Sequence, residues 1–162
     1  MNDLKHVQTL NIVRGLIKPF DDLERKLFCI LQTRRHNVQA WGYVSDLSQN
    51  TELKLHYAQG MHQCMEELNK PAAYLAGLIF AERTGKKELR KDLKQKFTEN
   101  VKKHHATASY LRAIRRLDKE GLTELRTELI EDWLQKDPFF AGLICLMYWK
   151  PNHKTGLIYS PL

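Results

Sequence analysis

Residues 71–82 read PAAYLAGLIFAE, an apolar stretch that is rich in small side chains. Pro71 suits the first position of a helix, where its missing N–H costs no hydrogen bond, and Gly85 follows as a natural C-terminal cap. A helix that is apolar around most of its circumference has to be covered by other elements. The stretch therefore predicts a central helix with further helices packed around it.

Apolar side chains recur at intervals of three and four on both sides of this stretch, as in amphipathic helices. Before it, the stripes are Leu4, Val7, Leu10, Val13 and Ile17; Leu23, Leu27, Ile30 and Leu31; and Leu53, Tyr57, Met61, Met65 and Leu68. After it, they are Leu89, Leu93, Phe97 and Val101; Leu111, Ile114 and Leu117; Leu122, Leu125, Leu129, Ile130 and Trp133; and Phe139–Trp149. The last stripe is apolar on all sides, so we expect that helix to be buried.

The remaining segments show no helical stripe. Residues 36–51 are expected to form the longest loop, with Trp41-Gly42-Tyr43 packed against the helices. We find no strand-like alternation of useful length. The sequence predicts an all-α fold: a single helical bundle of about seven or eight helices over residues 1–150, followed by an irregular tail at residues 151–162.

Composition fits an ordinary globular protein. Of 162 residues, 28% are charged and 43% hydrophobic, enough to bury a core without disulfides or metals. Three widely spaced cysteines, Cys29, Cys64 and Cys145, make no disulfide framework and fit a reducing compartment. The N-terminus lacks a signal-peptide pattern, and the longest apolar run, residues 139–149, is too short to span a bilayer. We expect a soluble cytoplasmic protein without a membrane partner.

Positive charge is concentrated in one segment. The chain has 26 Lys and Arg against 19 Asp and Glu, a net charge of +7, yet residues 86–116 alone hold 11 basic and three acidic residues. On the sixth predicted helix, Arg112, Arg115, Arg116 and Lys119 lie within about 100° of arc, away from its apolar stripe. Such a face suits a polyanion, because each neutralised phosphate releases condensed counterions. The alternative is a solvated face that serves only solubility.

The candidate nucleic-acid-binding residues are ten of the 11 basic residues of this segment and Lys119 in the helix turn after it. They are Lys86, Lys87, Arg90, Lys91, Lys94, Lys102, Lys103, Arg112, Arg115, Arg116 and Lys119. His104 and His105 would add charge if protonated near a phosphate. Base reading by the helix over residues 122–133 is disfavoured, because its acidic side chains would be repelled by phosphates. We expect backbone-directed binding without sequence preference, and the choice between RNA and DNA stays open.

Catalytic and metal chemistry find little support in the sequence. His62 and Cys64 lack the paired spacing of a zinc site, and Cys64 is expected to fill the core. Glu66-Glu67 is interpreted as a solvated helix edge rather than an acid/base pair. No phosphate loop, nucleophile elbow or zinc-protease motif occurs in the sequence. We therefore expect no metal, no cofactor and no enzymatic activity.

Two stretches resemble a known family. They are Pro71-Ala72-Ala73-Tyr74-Leu75-Ala76-Gly77-Leu78-Ile79-Phe80-Ala81-Glu82, and Phe139-Phe140-Ala141-Gly142-Leu143 with Tyr148-Trp149-Lys150. Together with the basic segment between them, they resemble the C-terminal helical region of large subunits in Cascade-type CRISPR complexes, and the separate small subunit of such complexes. Gly77 takes the glycine position of the first motif. The resemblance covers residues 53–150; residues 1–50 have no counterpart, and residues 139–149 lack the polar interruptions of the family pattern.

The resemblance implies a non-catalytic role in antiviral defence. Small subunits of this family lie side by side along the effector complex, contact its other subunits, and help to hold the guide–target duplex and the displaced DNA strand. The implied partners are guide RNA, target or displaced DNA, other subunits of the effector complex, and copies of the chain itself. The alternative is a helical structural or adaptor protein of a mobile element, whose basic helices bind an acidic protein partner.

Overall fold

Nine α-helices make up most of the chain in the computed structural model, which describes residues 4–19 and 21–147. They are α1 (Lys5–Leu16), α2 (Asp22–Thr33), α3 (Val38–Leu47), α4 (Thr51–Leu68), α5 (Pro71–Arg83), α6 (Lys87–Lys103), α7 (Ala108–Lys119), α8 (Thr123–Lys136) and α9 (Pro138–Met147). No strand occurs among the described residues. The prediction of an all-α helical bundle is confirmed.

The chain divides into two compact units between His104 and His105. The first unit contains α1 to α6: α5 packs against α3, α4 and α6, and α4 packs against α1 and α3. The second unit contains α7 to α9, with α8 packed against both α7 and α9. A single domain over residues 1–150 stays a prediction, and the expected tail at residues 151–162 lies outside the described residues.

Helix α5 is the centre of the first unit, as its composition predicts. Eight of its 13 residues are buried. Gly77 allows close approach on two sides, because a Cβ there would lie 2.5 Å from the Met65 Sδ of α4 and 2.9 Å from the Leu93 Cδ1 of α6. The small residues of the stretch therefore let three helices pack closely together.

Both ends of α5 follow the sequence signals. Pro71 occupies the first helical position. Gly85 follows the last turn with a φ of +67°, and the N–H of Lys86 donates to the carbonyl of Ala81 at 3.0 Å. This left-handed cap satisfies carbonyls that the helix end would otherwise leave unpaired. The predicted start and cap are confirmed.

Helix α3 lies inside the segment 36–51 that the sequence predicts to be a loop, and that prediction is wrong. The Asn37 side chain caps the start of α3 by accepting a backbone N–H of its first turn at 3.1 Å. Trp41 is fully buried, as expected, but the same face also buries Gly42 and Ser45. Because glycine and serine are not strong helix formers, packing rather than local propensity stabilises α3.

Gly60→Ala is expected to destabilise the first unit. A Cβ at Gly60 would lie 2.3 Å from the ring of Trp41, which is fully buried. Overpacking of this kind costs about 1–3 kcal/mol, and alanine's better helix propensity returns about 1 kcal/mol at most. Urea unfolding should show a net loss. The control is Gly15→Ala in α1, where a Cβ meets nothing within 4 Å and no loss of stability is expected.

The buried face of α1 differs from the predicted stripe. His6, Thr9, Leu10 and Val13 are buried, whereas Leu4 is 48% exposed. The polar members have partners on α4: the Thr9 hydroxyl, for example, donates to the Gln63 side-chain oxygen at 2.6 Å. Leu10 and Val13 of the predicted stripe are buried, but the buried face also takes in His6 and Thr9, because such bonds offset the cost of burying polar atoms.

Helix α2 shows the same displacement. Glu24 is buried, while Leu23 and Ile30 of the predicted stripe are exposed. The Glu24 carboxylate accepts hydrogen bonds from the Ser48 hydroxyl and the Gln49 N–H, both at 2.9 Å. A buried carboxylate thereby ties α2 to the segment between α3 and α4.

The second unit is built on an aromatic cluster. The rings of Tyr110 and Trp133 stack with centroids 5.8 Å apart, and Phe140 meets Trp133 edge-on at 6.3 Å. Phe139 is 79% exposed and Phe140 is 42% exposed. The prediction that the last helix is buried on all sides is therefore wrong for its first turn, and Tyr148 and Trp149 lie outside the described residues.

Candidate nucleic-acid interface

Helix α6 carries a line of lysines along one side. Lys87, Lys91, Lys94 and Lys102, the α6 lysine row, fall within about 80° of arc and span about 22 Å of helix axis. Three of them are exposed and Lys94 is half-buried. Lys87, Lys91 and Lys102 lie outside the side of α6 that buries Leu93 and Phe97. Lys94 lies at the boundary of that side, about 20° of arc from the buried Val101. The helix thus combines a packed side with a basic edge.

Most lysines of the row have no ion-pair partner among the described residues. Lys87, Lys91 and Lys102 form no ion pair within the part of the chain that the structure describes. Lys103 is also exposed and unpaired there, but it points about 100° away from Lys102. These ammonium groups are available to an external anion.

Acidic side chains flank the row on the same helix. Glu88, Asp92 and Glu99 are exposed, but Asp92 pairs with Lys96 at 3.2 Å and Glu99 accepts from the Gln95 amide at 2.8 Å. Two of the three carboxylates are therefore engaged within α6. The row remains the positive edge of the helix.

Lys86 and Arg90, both predicted binding residues, have partners inside the first unit. The Lys86 Nζ lies 2.6 Å from the Asp46 carboxylate and 5.7 Å from the centroid of the Phe80 ring. Arg90 pairs with Glu82 of α5, and its side chain is only 23% exposed. These two ion pairs hold the start of α6 against the first unit. Their charges are therefore less available to bind a ligand.

The other four predicted binding residues lie on α7, in the second unit. Arg112, Arg115 and Lys119 are exposed. Arg116 pairs with Glu120 at 3.0 Å, and its side chain is 39% exposed. The structure therefore places the predicted residues on two units, with seven on or just before α6 and four on α7.

The structure gives no support to a nucleophile at Cys64. The side chain is fully buried, and burial raises the pKa of its thiol to about 11. The thiol therefore stays protonated at neutral pH, as expected for a residue that fills the core. No cluster of three or more potential metal ligands occurs among the described residues.

A polar chain that the sequence did not predict joins α1 to α4. The buried His6 Nδ1 bonds to the Glu67 carboxylate, and its Nε2 lies 3.0 Å from the His36 Nδ1. Glu67 also accepts the backbone N–H of Lys5 at 2.5 Å, so a side chain of α4 caps the first turn of α1. The interpretation of Glu67 as a solvated edge is wrong. In the sequence, the one indication of this hydrogen-bonded group is that His6 shares the three-and-four spacing of Leu10 and Val13.

Acidification is expected to lower the free energy of unfolding below about pH 6.5. Burial, His6 and Arg35 hold the pKa of His36 below its ordinary value, and burial and Lys96 do the same for His62. The unfolded chain therefore takes up protons on these two residues near pH 6.5, whereas native His36 and His62 stay neutral to lower pH, so their contribution to stability falls as the pH drops through this range. Urea unfolding between about pH 7.5 and 5.5 measures the loss, and it should be smaller in His36→Gln and in His62→Gln. A pH-independent stability would contradict this.

Comparison with known proteins places the chain in no family. No protein-family model, no curated protein and no solved structure matches it. Among the described helices, none combines the length and apolar character needed to cross a membrane. The cytoplasmic location stays a prediction.

Proposed function

We propose that the protein is a non-catalytic nucleic-acid-binding protein that binds the phosphate backbone through the α6 lysine row. The observation that carries this proposal is a line of exposed lysines, about 22 Å long, most of which have no ion-pair partner within the described residues. Lysine supplies three donors and a compact positive charge, which suits phosphate oxygens without demanding one geometry.

The same edge offers little for reading bases. Phe97, the aromatic residue of α6, is buried. Without an exposed aromatic ring, bases have nothing to stack on at this edge. Binding therefore depends on phosphate charge and is independent of sequence.

The finer form of the proposal is a small subunit of a Cascade-type CRISPR effector. The resemblance of residues 71–82 and 139–150, with a basic segment between them, supports this form. The lysine row would then follow the backbone of the guide–target duplex or of the displaced strand. The exposed Arg112 and Lys119 of α7 give the second unit its own cations for phosphate contacts. Co-purification with the other subunits of such a complex tests this assignment.

An adaptor that binds an acidic protein is the second candidate. It is favoured by the carboxylates of Glu88, Asp92 and Glu99 beside the lysine row. A mixed-charge edge can pair with an acidic protein surface that also places cations opposite these carboxylates, whereas a phosphate backbone carries no cation of its own.

Fluorescence anisotropy with labelled oligonucleotides separates the two candidates. The probes are two unrelated single strands of about 16 nucleotides, the corresponding duplexes, and a polyglutamate peptide of similar length. The proposal predicts binding of both sequences with equal affinity and weaker binding of the peptide. Binding of the peptide alone would favour the adaptor, and no oligonucleotide binding at about 0.1 M salt would overturn the proposal.

A further inference from the structure

Four side chains from three parts of the first unit form one hydrogen-bonded line. The line runs from Arg35 and His36, between α2 and α3, through His6 of α1 to Glu67 of α4. Arg35 Nε lies 3.3 Å from His36 Nε2, His36 Nδ1 lies 3.0 Å from His6 Nε2, and His6 Nδ1 bonds to Glu67. His36 is exposed at one end, while His6 is 1% exposed in the middle. The line connects solvent to a buried imidazole.

The chemistry of the two ends fixes the protons between them. The Arg35 guanidinium can only donate, and the ionised Glu67 carboxylate can only accept. His36 Nε2 therefore accepts from Arg35, and its Nδ1–H donates to His6. The His6 Nδ1–H then donates to Glu67. Two neutral imidazoles satisfy every bond of the line, and each carries its proton on Nδ1.

An additional proton has one favourable place in this line. On His6 the charge lies beside the Glu67 carboxylate, whereas on His36 it would lie beside the Arg35 guanidinium. A charge next to a carboxylate is favoured, and a charge next to a guanidinium is opposed. Trp41 of α3, which meets His6 edge-on, adds no charge of its own.

We propose that these four residues form a proton relay that takes up one proton from solvent at His36 and stores its charge on His6. The incoming proton bonds to His36 Nε2, and the proton on His36 Nδ1 moves to His6 Nε2. His36 ends neutral with its proton on Nε2, and His6 becomes an imidazolium paired with Glu67. The Arg35 Nε–H now faces an N–H, so the Arg35 side chain is released.

Release of the Arg35 side chain leaves the neighbouring backbone in place. The carbonyl of Arg35 accepts the indole N–H of Trp41 at 2.8 Å, and that bond involves no titratable group. The backbone between α2 and α3 therefore stays in place, and only the guanidinium is freed. The relay is a pH-sensitive device that frees the exposed Arg35 guanidinium from its hydrogen bond as the pH falls. It rests on the geometry of the first unit and is independent of the proposed nucleic-acid binding.

Long-range proton–nitrogen NMR of the imidazoles in the ¹⁵N-labelled full chain tests the relay between about pH 8 and pH 5. Both rings should be neutral with Nδ1–H at the upper end. On acidification His6 should become the imidazolium while His36 changes to the Nε2–H tautomer, both with the same midpoint. His62, outside the line, is the internal control and should show no tautomer change coupled to this midpoint. A charged His36 beside a neutral His6, or separate midpoints, would overturn the proposal.

Two variants shift the midpoint in opposite directions. Glu67→Gln keeps an acceptor but removes the charge that stabilises the imidazolium, so the midpoint should fall by about one pH unit or more. Arg35→Ala removes the bond that the tautomer change breaks, so the midpoint should rise. Arg35 is exposed, so this variant is expected to fold even if Glu67→Gln does not. A midpoint that Arg35→Ala leaves unchanged or lowers would refute the relay.

Discussion

The variant with Lys87→Glu, Lys91→Glu and Lys102→Glu is expected to bind oligonucleotides about 100-fold more weakly than the wild type at about 0.1 M salt. Each exposed contact between an ammonium and a phosphate is worth about 1 kcal/mol, and reversal replaces attraction by repulsion before salt screens both. The loss should be the same for every sequence, because these lysines meet phosphates and not bases. Anisotropy titrations give the ratio of affinities.

A second triple variant with the same net charge tests whether the position of the lysines or only the net charge of the protein determines affinity. Lys18→Glu, Lys54→Glu and Lys70→Glu alter exposed lysines of the same unit that form no ion pair among the described residues. This control should lose much less affinity than the row variant. Both should unfold at similar urea concentrations, since neither set contributes to the core. Equal losses in the two variants would mean that only the net charge of the protein matters.

Leu78→Ala is expected to lower the free energy of unfolding by about 2–5 kcal/mol. Leu78 is fully buried in α5, whose neighbours α3, α4 and α6 surround it. Truncation removes the apolar transfer energy and leaves a cavity that surrounding helices fill only in part. Urea or thermal unfolding measures the loss.

The same substitution at an exposed leucine is the matched control. Leu55 lies on α4 and is 67% exposed, so Leu55→Ala should change stability by no more than about 0.5 kcal/mol. If the two variants lost similar amounts, α5 would not be the centre of the first unit.

The central helix α5 could be predicted because its sequence fits few structures other than a buried helix. Pro71 marks its start, Gly85 its end, and a run of apolar and small residues between them fits a buried helix and little else. The basic segment was equally visible, since charge and position are properties of the chain. The sequence does not show which of these basic residues form the α6 lysine row and which pair with carboxylates inside the first unit. Lys86 depends on Asp46 of α3, 40 residues away, and such pairs appear only in the folded chain.

The errors have a common physical cause. His6 and Glu24 take buried positions that an apolar stripe assigns to leucine or isoleucine, because tertiary hydrogen bonds compensate for burying them. Helix α3 was missed for a related reason: Gly42 and Ser45 lie on its buried face. Apolar periodicity identifies the number and order of most helices here, but it misplaces the faces where polar networks lie.

The salt dependence of oligonucleotide binding tests phosphate recognition by the α6 lysine row most directly. The slope of log affinity against log salt is about 0.7 per phosphate neutralised on a single strand. The wild type should therefore show a slope steeper by about 2 than the variant with Lys87, Lys91 and Lys102 changed to Glu. The matched-charge control should keep a slope close to that of the wild type. Identical slopes for the wild type and the row variant would contradict the proposal that these lysines contact phosphates.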